Sequence, residues 1–232
     1  MKRTRRYGFI LVMAGLACLP FFAGAQEPAA AADAALEAIA IELPEPFFGG
    51  TPIDYWSPNL EPEDYKDRPP FMAPKGAVNV AAKKAVTSSE PPVHGALKQL
   101  TDGDKHYART SLVELPDGAQ WVQIDLEKET ALYAVVVWHF HEGKRVYFDI
   151  VAQVSNDKEF NEGVTAIYNN DHDNSAGLGV GKDKEYIETY QGRLIDAKAA
   201  SGRYLRLFSK GNTADDFNHY VEVEVYGIPK AS

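Results

Sequence analysis

Eight consecutive residues, Ala131 to Trp138, carry no charge and include three successive valines, Val135 to Val137. β-branched side chains lose rotamer freedom in a helix and pack well on a pleated surface. An unbroken apolar run of this length therefore reads as a central strand. The neighbouring Trp121-Val122-Gln123-Ile124-Asp125-Leu126 alternates apolar and polar residues with period two, the pattern of a half-buried strand. Further strands are expected over Tyr147 to Val154, Val164 to Tyr168 and Tyr204 to Phe208. Tyr220 to Tyr226 sets Val221, Val223 and Val225 on one face and Glu222 and Glu224 on the other. Between these runs stand turn pairs at Asp102-Gly103, Asp117-Gly118 and Gly211-Asn212. Short strands with turn punctuation and little helical periodicity predict an all-β sandwich or barrel. The span from Val78 to Ile228, about 150 residues, is long enough for one such core.

The chain ahead of Val78 has a different character. Residues 1–25 begin with Lys2, Arg3, Arg5 and Arg6, continue through an apolar run from Phe9 to Phe22, and end in Ala23-Gly24-Ala25. A basic start, an apolar middle and a small-residue end make a secretory signal peptide, so a secreted or periplasmic protein is expected. The apolar run is too short for a stable bilayer anchor, and no later stretch predicts a membrane span. Cys18 is the sole cysteine and lies within the signal, so no disulfide is expected. Gly15 stands where a lipoprotein signal usually has a branched apolar residue, which argues against acylation of Cys18. Residues 26–77 form an Ala-rich and then Pro-rich extension: Ala29 to Ala40 reads as a short helix or a tether, and Pro44 to Pro74 as extended chain. Phe47, Phe48, Tyr55, Trp56 and Phe71 suit a segment that lies against the domain or a partner.

Charge limits the partners. Cleavage after Ala25 removes four basic and no acidic residues, which takes the net charge from -9 to -13. Such a surface repels phosphate backbones, so nucleic acid is excluded as a partner, whereas neutral sugars and divalent cations are compatible with it.

Several segments, in order, resemble one known family. They are Asn79-Val80-Ala81, Val86 to Ser89, Leu100 to Asp104, Gln120 to Leu126, Gln153 to Asp157, Arg203 to Leu207 and Glu222 to Gly227. Together they are similar to the discoidin, or coagulation factor 5/8 type C, family. The resemblance implies an eight-stranded, galactose-binding-like jelly-roll sandwich whose loops at one end bind ligand, often a carbohydrate. It also implies a structural calcium ion held by Asp102, Asp104, Thr110 or Ser111, and Glu222, with main-chain carbonyls from Gln99 and Val221. The residues themselves allow that reading or a plain one. Asp102-Gly103-Asp104 offers two carboxylates on a tight turn, and calcium takes six to eight oxygens, but the same turn can simply close on itself. The long loop Asn169 to Lys184 is shared with a bacterial secreted subgroup of the family, for which no ligand is implied.

Other constellations stand beside this one. Trp138-His139-Phe140-His141-Glu142-Gly143-Lys144-Arg145 ends the central strand, and alternation puts His139 and His141 on one side. That pair suits sugar hydroxyls together with Arg145, or a zinc ion lacking an identifiable third ligand, or simple packing at a strand end. Asn218 and His219 precede the last strand and would lie near the calcium end. An EF-hand starting at Asp171 fails because Ala176 and Lys182 replace the required Gly and Glu. A phosphate loop over Gly177 to Lys182 fails because Asp183 replaces the magnesium-binding hydroxyl. With no nucleophile elbow and no zinc-protease motif, the chain reads as a non-enzymatic exported module that binds carbohydrate or glycoconjugate. The rival expectations are a protein-interaction or envelope scaffold, which would bind another envelope protein, and a metal enzyme using His139 and His141.

Overall fold

The structure is a computed structural model, which describes residues 35–47, 54–64 and 66–231. The signal peptide with Cys18, and residues 26–34 of the Ala-rich stretch, lie outside the described residues. Among the described residues, eleven strands and one short 3-10 helix, Leu97–Thr101, make up the regular structure.

Two strands organise the fold. β6, Gln120–Trp138, joins the alternating and the all-apolar segments into one strand, and β9, Arg193–Ser209, runs antiparallel beside it. Both bend halfway. Glu127 takes φ +67°, Lys198 +50° and Ala199 +59°, and the register slips between Asp125 and Thr130. Left-handed residues and bulges sharpen twist and turn a strand out of its sheet. Each long strand therefore contributes one half to each layer of a sandwich.

In the first layer the early half of β6 pairs with β4, Val86–Ser88, and the late half of β9 pairs with β7, Val151–Ser155. β8, Thr165–Asn169, closes that edge. In the second layer the late half of β6 lies between the early half of β9 and β11, Glu222–Pro229, with β3, Val78–Asn79, beyond. Val122, Ile124, Leu205 and Leu207 from the first layer meet Val135, Val137, Val223 and Val225 from the second in one core. Burying each such side chain contributes about 1.5–3 kcal/mol. A two-stranded ribbon of β5, Val113–Leu115, and β10, Asn218–Tyr220, covers one end.

The second layer is buried on its outer face as well, which explains the unbroken apolar run. Ala134, Val136 and Trp138 face away from the core and are covered by Ile39, Ile41 and Phe71 of the N-terminal extension. The described residues of that extension form neither a helix nor a free tether. Its ends pair as a ribbon, β1 (Leu36–Ala38) against β2 (Met72–Pro74), and Tyr226 Oη donates to the Ala40 carbonyl at 3.1 Å. The expected sandwich is present. The count rises to eleven because the extension adds two strands and the terminal strand divides at Val221 into β10 and β11.

Candidate ligand-binding cleft

Beyond Trp138 the strand alternation lapses, and the two histidines part company. His139 is 0 % exposed, stacked on Tyr147 with ring centroids 4.4 Å apart, and its Nδ1 lies 2.9 Å from Glu188 Oε2. His141 lines an open cleft on the far side of Glu188. Its Nδ1 donates to the His139 carbonyl at 3.1 Å, so Nε2 carries the lone pair. Burial lowers its pKa and keeps the ring neutral.

The other expected ligand residues are committed to holding the sandwich end together. Asn218 satisfies all four of its hydrogen-bonding positions: Oδ1 accepts from Ser209 Oγ and Gly211 N, and Nδ2 donates to the carbonyls of Pro116 and Gly118. His219 is buried, with Nε2 3.2 Å from Glu114 Oε2 and Nδ1 3.2 Å from Tyr147 Oη. Arg145 lies over the Phe140 ring and 3.7 Å from Asp215. Of the five residues expected to meet ligand, His141 lines the cleft; His139, Asn218 and His219 are buried, the last two within the β5–β10 ribbon, and Arg145 is partly exposed.

The residues expected around calcium do come together at one corner. Gly103 N donates to Glu222 Oε2 at 3.1 Å, and Ser111 Oγ donates to Asp104 Oδ2 at 2.7 Å. Gln99 Nε2 donates to the Thr110 carbonyl at 2.7 Å, and Val221 N donates to Trp138 O. Glu222 is 1 % exposed, and its pKa is pushed up to about 8 by burial, with Asp102 and Glu224 adding to the rise. A buried carboxylate beside other carboxylates fits an oxygen-rich cation corner. Asp102, Asp104 and Glu222 nevertheless do not bring three carboxylate oxygens within 4.8 Å of one another. Among the described residues, Asp149, Asp171 and Asp173 do. There Asp171 accepts the main-chain hydrogens of Ser175 and Ala176, and Asp149 accepts Ser175 Oγ, so the trio closes the Asn169–Lys184 loop. Among the described residues, His139, His141 and Glu188 do not form such a group.

The cleft itself, of about 810 Å³, lies between the Pro-rich extension and the turn that enters β9. Trp138 fixes that turn: its Nε1 donates to the Tyr190 carbonyl at 2.9 Å. Gly192, at φ +64°, lets the turn pass over the indole, where any Cβ would come within 2.8 Å of the ring. The opposite wall is tied down by main chain and charge. Glu61 N donates to Glu185 O, Arg68 N donates to Gln191 Oε1, and Arg68 Nη1 donates to Gly192 O at 3.1 Å. Glu61 and Arg193 pair at 2.6 Å, and Glu63 and Lys144 at 2.5 Å. Arg193 is further held over the Tyr186 ring, 4.7 Å from its centroid. Phe47 and Tyr107, 4.4 Å apart, place aromatic surface at the edge beside His141.

Three buried polar atoms on this wall have no partner among the described residues: His141 Nε2, Glu188 Oε1 and Arg193 Nε. Buried polar groups are normally satisfied, so each of these atoms calls for a partner beyond the protein itself. Sequence reasoning missed Arg68, Tyr186, Glu188 and Arg193. One signal was there, the period-two run Tyr186-Ile187-Glu188-Thr189-Tyr190, but its polar face gave no hint that Arg68, over a hundred residues away, would complete the site.

No protein-family model matches this sequence, and no curated protein matches it. Among solved structures, it resembles a family 89 glycoside hydrolase from Clostridium perfringens in complex with 2-acetamido-1,2-dideoxynojirmycin, with TM-score 0.50 and 17 % identity over 66 % of this chain and 15 % of that one. It also resembles the CBM32 of AlyQ in complex with 4,5-unsaturated mannuronic acid, with TM-score 0.43 and 18 % identity over 61 % of this chain and 92 % of that one. A fucolectin from striped bass (Morone saxatilis) serum gives TM-score 0.47 and 16 % identity, over 66 % of this chain and 50 % of that one. The chain thus spans less than a sixth of the length of the glycoside hydrolase. At these identities the likeness is one of fold. With β6 and β9 threading both layers, the chain has a galactose-binding-like β-sandwich fold.

Proposed function

We propose that the protein is an exported, non-catalytic module that binds carbohydrate in the cleft between the Pro-rich extension and the start of β9. The observation that carries this reading is the pair of unpartnered buried acceptors, His141 Nε2 and Glu188 Oε1, on the cleft wall. Two acceptors without a donor call for a ligand rich in hydroxyl hydrogens. A sugar supplies these, and its apolar face suits the Phe47–Tyr107 edge. The concave shape supports a small-ligand site over a flat scaffold interface, because the extension packs on its own sandwich and lines the cleft. No helix among the described residues is long and apolar enough to cross a membrane.

A structural calcium at the Asp102–Glu222 corner belongs to the same proposal. Asp102, Asp104 and Glu222 would hold the ion with the Thr110 or Ser111 hydroxyl and the carbonyls of Gln99 and Val221, and its charge would offset the buried carboxylates.

A glycan array probed with the purified protein tests the function. Binding to a defined subset of glycans, reduced about tenfold by His141→Ala and by Glu188→Gln at unchanged melting temperature, is expected. A blank array with folded protein would refute the reading.

A further inference from the structure

The acceptor pair accounts for one part of the cleft wall; the other part is cationic. Arg68 is half-buried and has no carboxylate within ion-pair distance among the described residues. Glu188 and Glu224 act on it only from farther away. Its Nη1 donates to the carbonyl of Gly192, the residue before Arg193, and both arginines line the cleft. Burial, and then the Arg193 charge, lower the Arg68 pKa. Arg193 is immobilised over Tyr186 and Tyr168 and bonds Glu61 through Nη1, while its Nε–H is buried and unpartnered. Arg68, without a carboxylate partner, and Arg193, with an unused buried donor, both line the cleft and together form a site for a negative group.

The acids of the same wall do not cancel this. Glu61 is taken by Arg193 and Glu63 by Lys144, and Asp64 accepts the main-chain hydrogen of Lys66. Glu188 Oε2 is taken by His139 Nδ1, and Oε1 is the acceptor left for ligand hydroxyls. Asp67 is exposed at the lip, where water screens it, and Lys66 is exposed there too.

We propose that the cleft selects an anionic sugar, one whose carboxylate or sulfate group bridges Arg68 and Arg193 while its hydroxyls donate to His141 and Glu188. This rests on the carbohydrate-binding reading and narrows it.

Calorimetric titration of the purified protein with three oligosaccharides of equal length tests it: a neutral oligogalactoside, an oligogalacturonate and a sulfated oligogalactoside. At least one acidic oligomer is expected to bind about tenfold or more tightly than the neutral one, and which of them does so distinguishes carboxylate from sulfate. Arg68→Gln, with an unchanged melting temperature, should abolish that preference and leave weak binding of the neutral oligomer. The preference should also shrink when sodium chloride is raised from about 0.05 to 0.5 M. Equal or tighter binding of the neutral oligomer would overturn the anionic assignment alone and leave the carbohydrate reading standing, as would an acid preference that Arg68→Gln does not alter. Failure of all three oligomers, with a blank glycan array, would overturn both.

Discussion

The Nδ1 of His141 is hydrogen-bonded to the main-chain carbonyl of His139, 3.1 Å away, and this contact determines which nitrogen of His141 faces the cleft. The carbonyl requires a donor, so Nε2 is left as an acceptor, and it has no partner among the described residues. Burial lowers the pKa of this ring from its ordinary 6.5. The unfolded chain therefore takes up the proton first as pH falls below 6.5, and the folded state loses stability there. Saccharide affinity is expected to be constant from about pH 6.5 to 8 and to fall at lower pH, once the depressed value is passed. Titrations across that range check it; an affinity that rises toward pH 5 would contradict the tautomer.

Glu222 titrates in the opposite sense. Its folded value, about 8, lies above the ordinary 4.5, so burial costs nothing below pH 4.5, and the penalty grows until the pH passes about 8. Glu222→Gln keeps an acceptor for Gly103 N and removes the charge. Without calcium, the variant should be more stable than the parent at pH 8.5, on the order of 2 kcal/mol, and no more stable at pH 4. If calcium occupies this corner, adding it should raise the melting temperature of the parent and not that of Glu222→Gln. Thermal unfolding with EDTA and with calcium measures both effects.

Gly192→Ala should damage the cleft from beneath. Alanine at φ +64° is strained, and its Cβ would meet the Trp138 indole at 2.8 Å. A loss of about 1–3 kcal/mol is expected, together with weaker saccharide binding, because Tyr190 and Arg193 flank the displaced turn. Urea unfolding and calorimetry should show the two losses together.

Asn218→Ala separates structure from recognition. The change leaves Ser209 Oγ, Gly211 N and two carbonyls without their partner, a cost of about 2–4 kcal/mol. Below its lowered melting temperature the variant should bind saccharide like the parent. A selective loss of binding at intact stability would show that Asn218 touches ligand after all.

The fold was largely readable in the sequence, since strand content depends on periodicity and turn chemistry, which are local. The valines of β6, the alternation of β11 and the glycines at 103, 118 and 211, all at positive φ, behaved as their positions required. The extension was less legible. Its prolines excluded a regular ladder, yet nothing local said that Ile39, Ile41 and Phe71 would cover Val136 and Trp138.

The site divides the same way. Sequence alone determined an all-β domain, an acidic net charge, and a cluster of chemically capable side chains at the end of the central strand. It singled out His141, which lines the cleft, with four neighbours that lie outside the cleft lining. Tertiary structure decided which polar atoms were satisfied and which were left open. Asn218 finds all four of its partners, whereas His141, Glu188 and Arg193 each keep one unused position facing a cleft. Satisfaction of a hydrogen-bonding group depends on residues far apart in the chain, such as Arg68 and Gly192, that meet only when the extension has crossed the sheet.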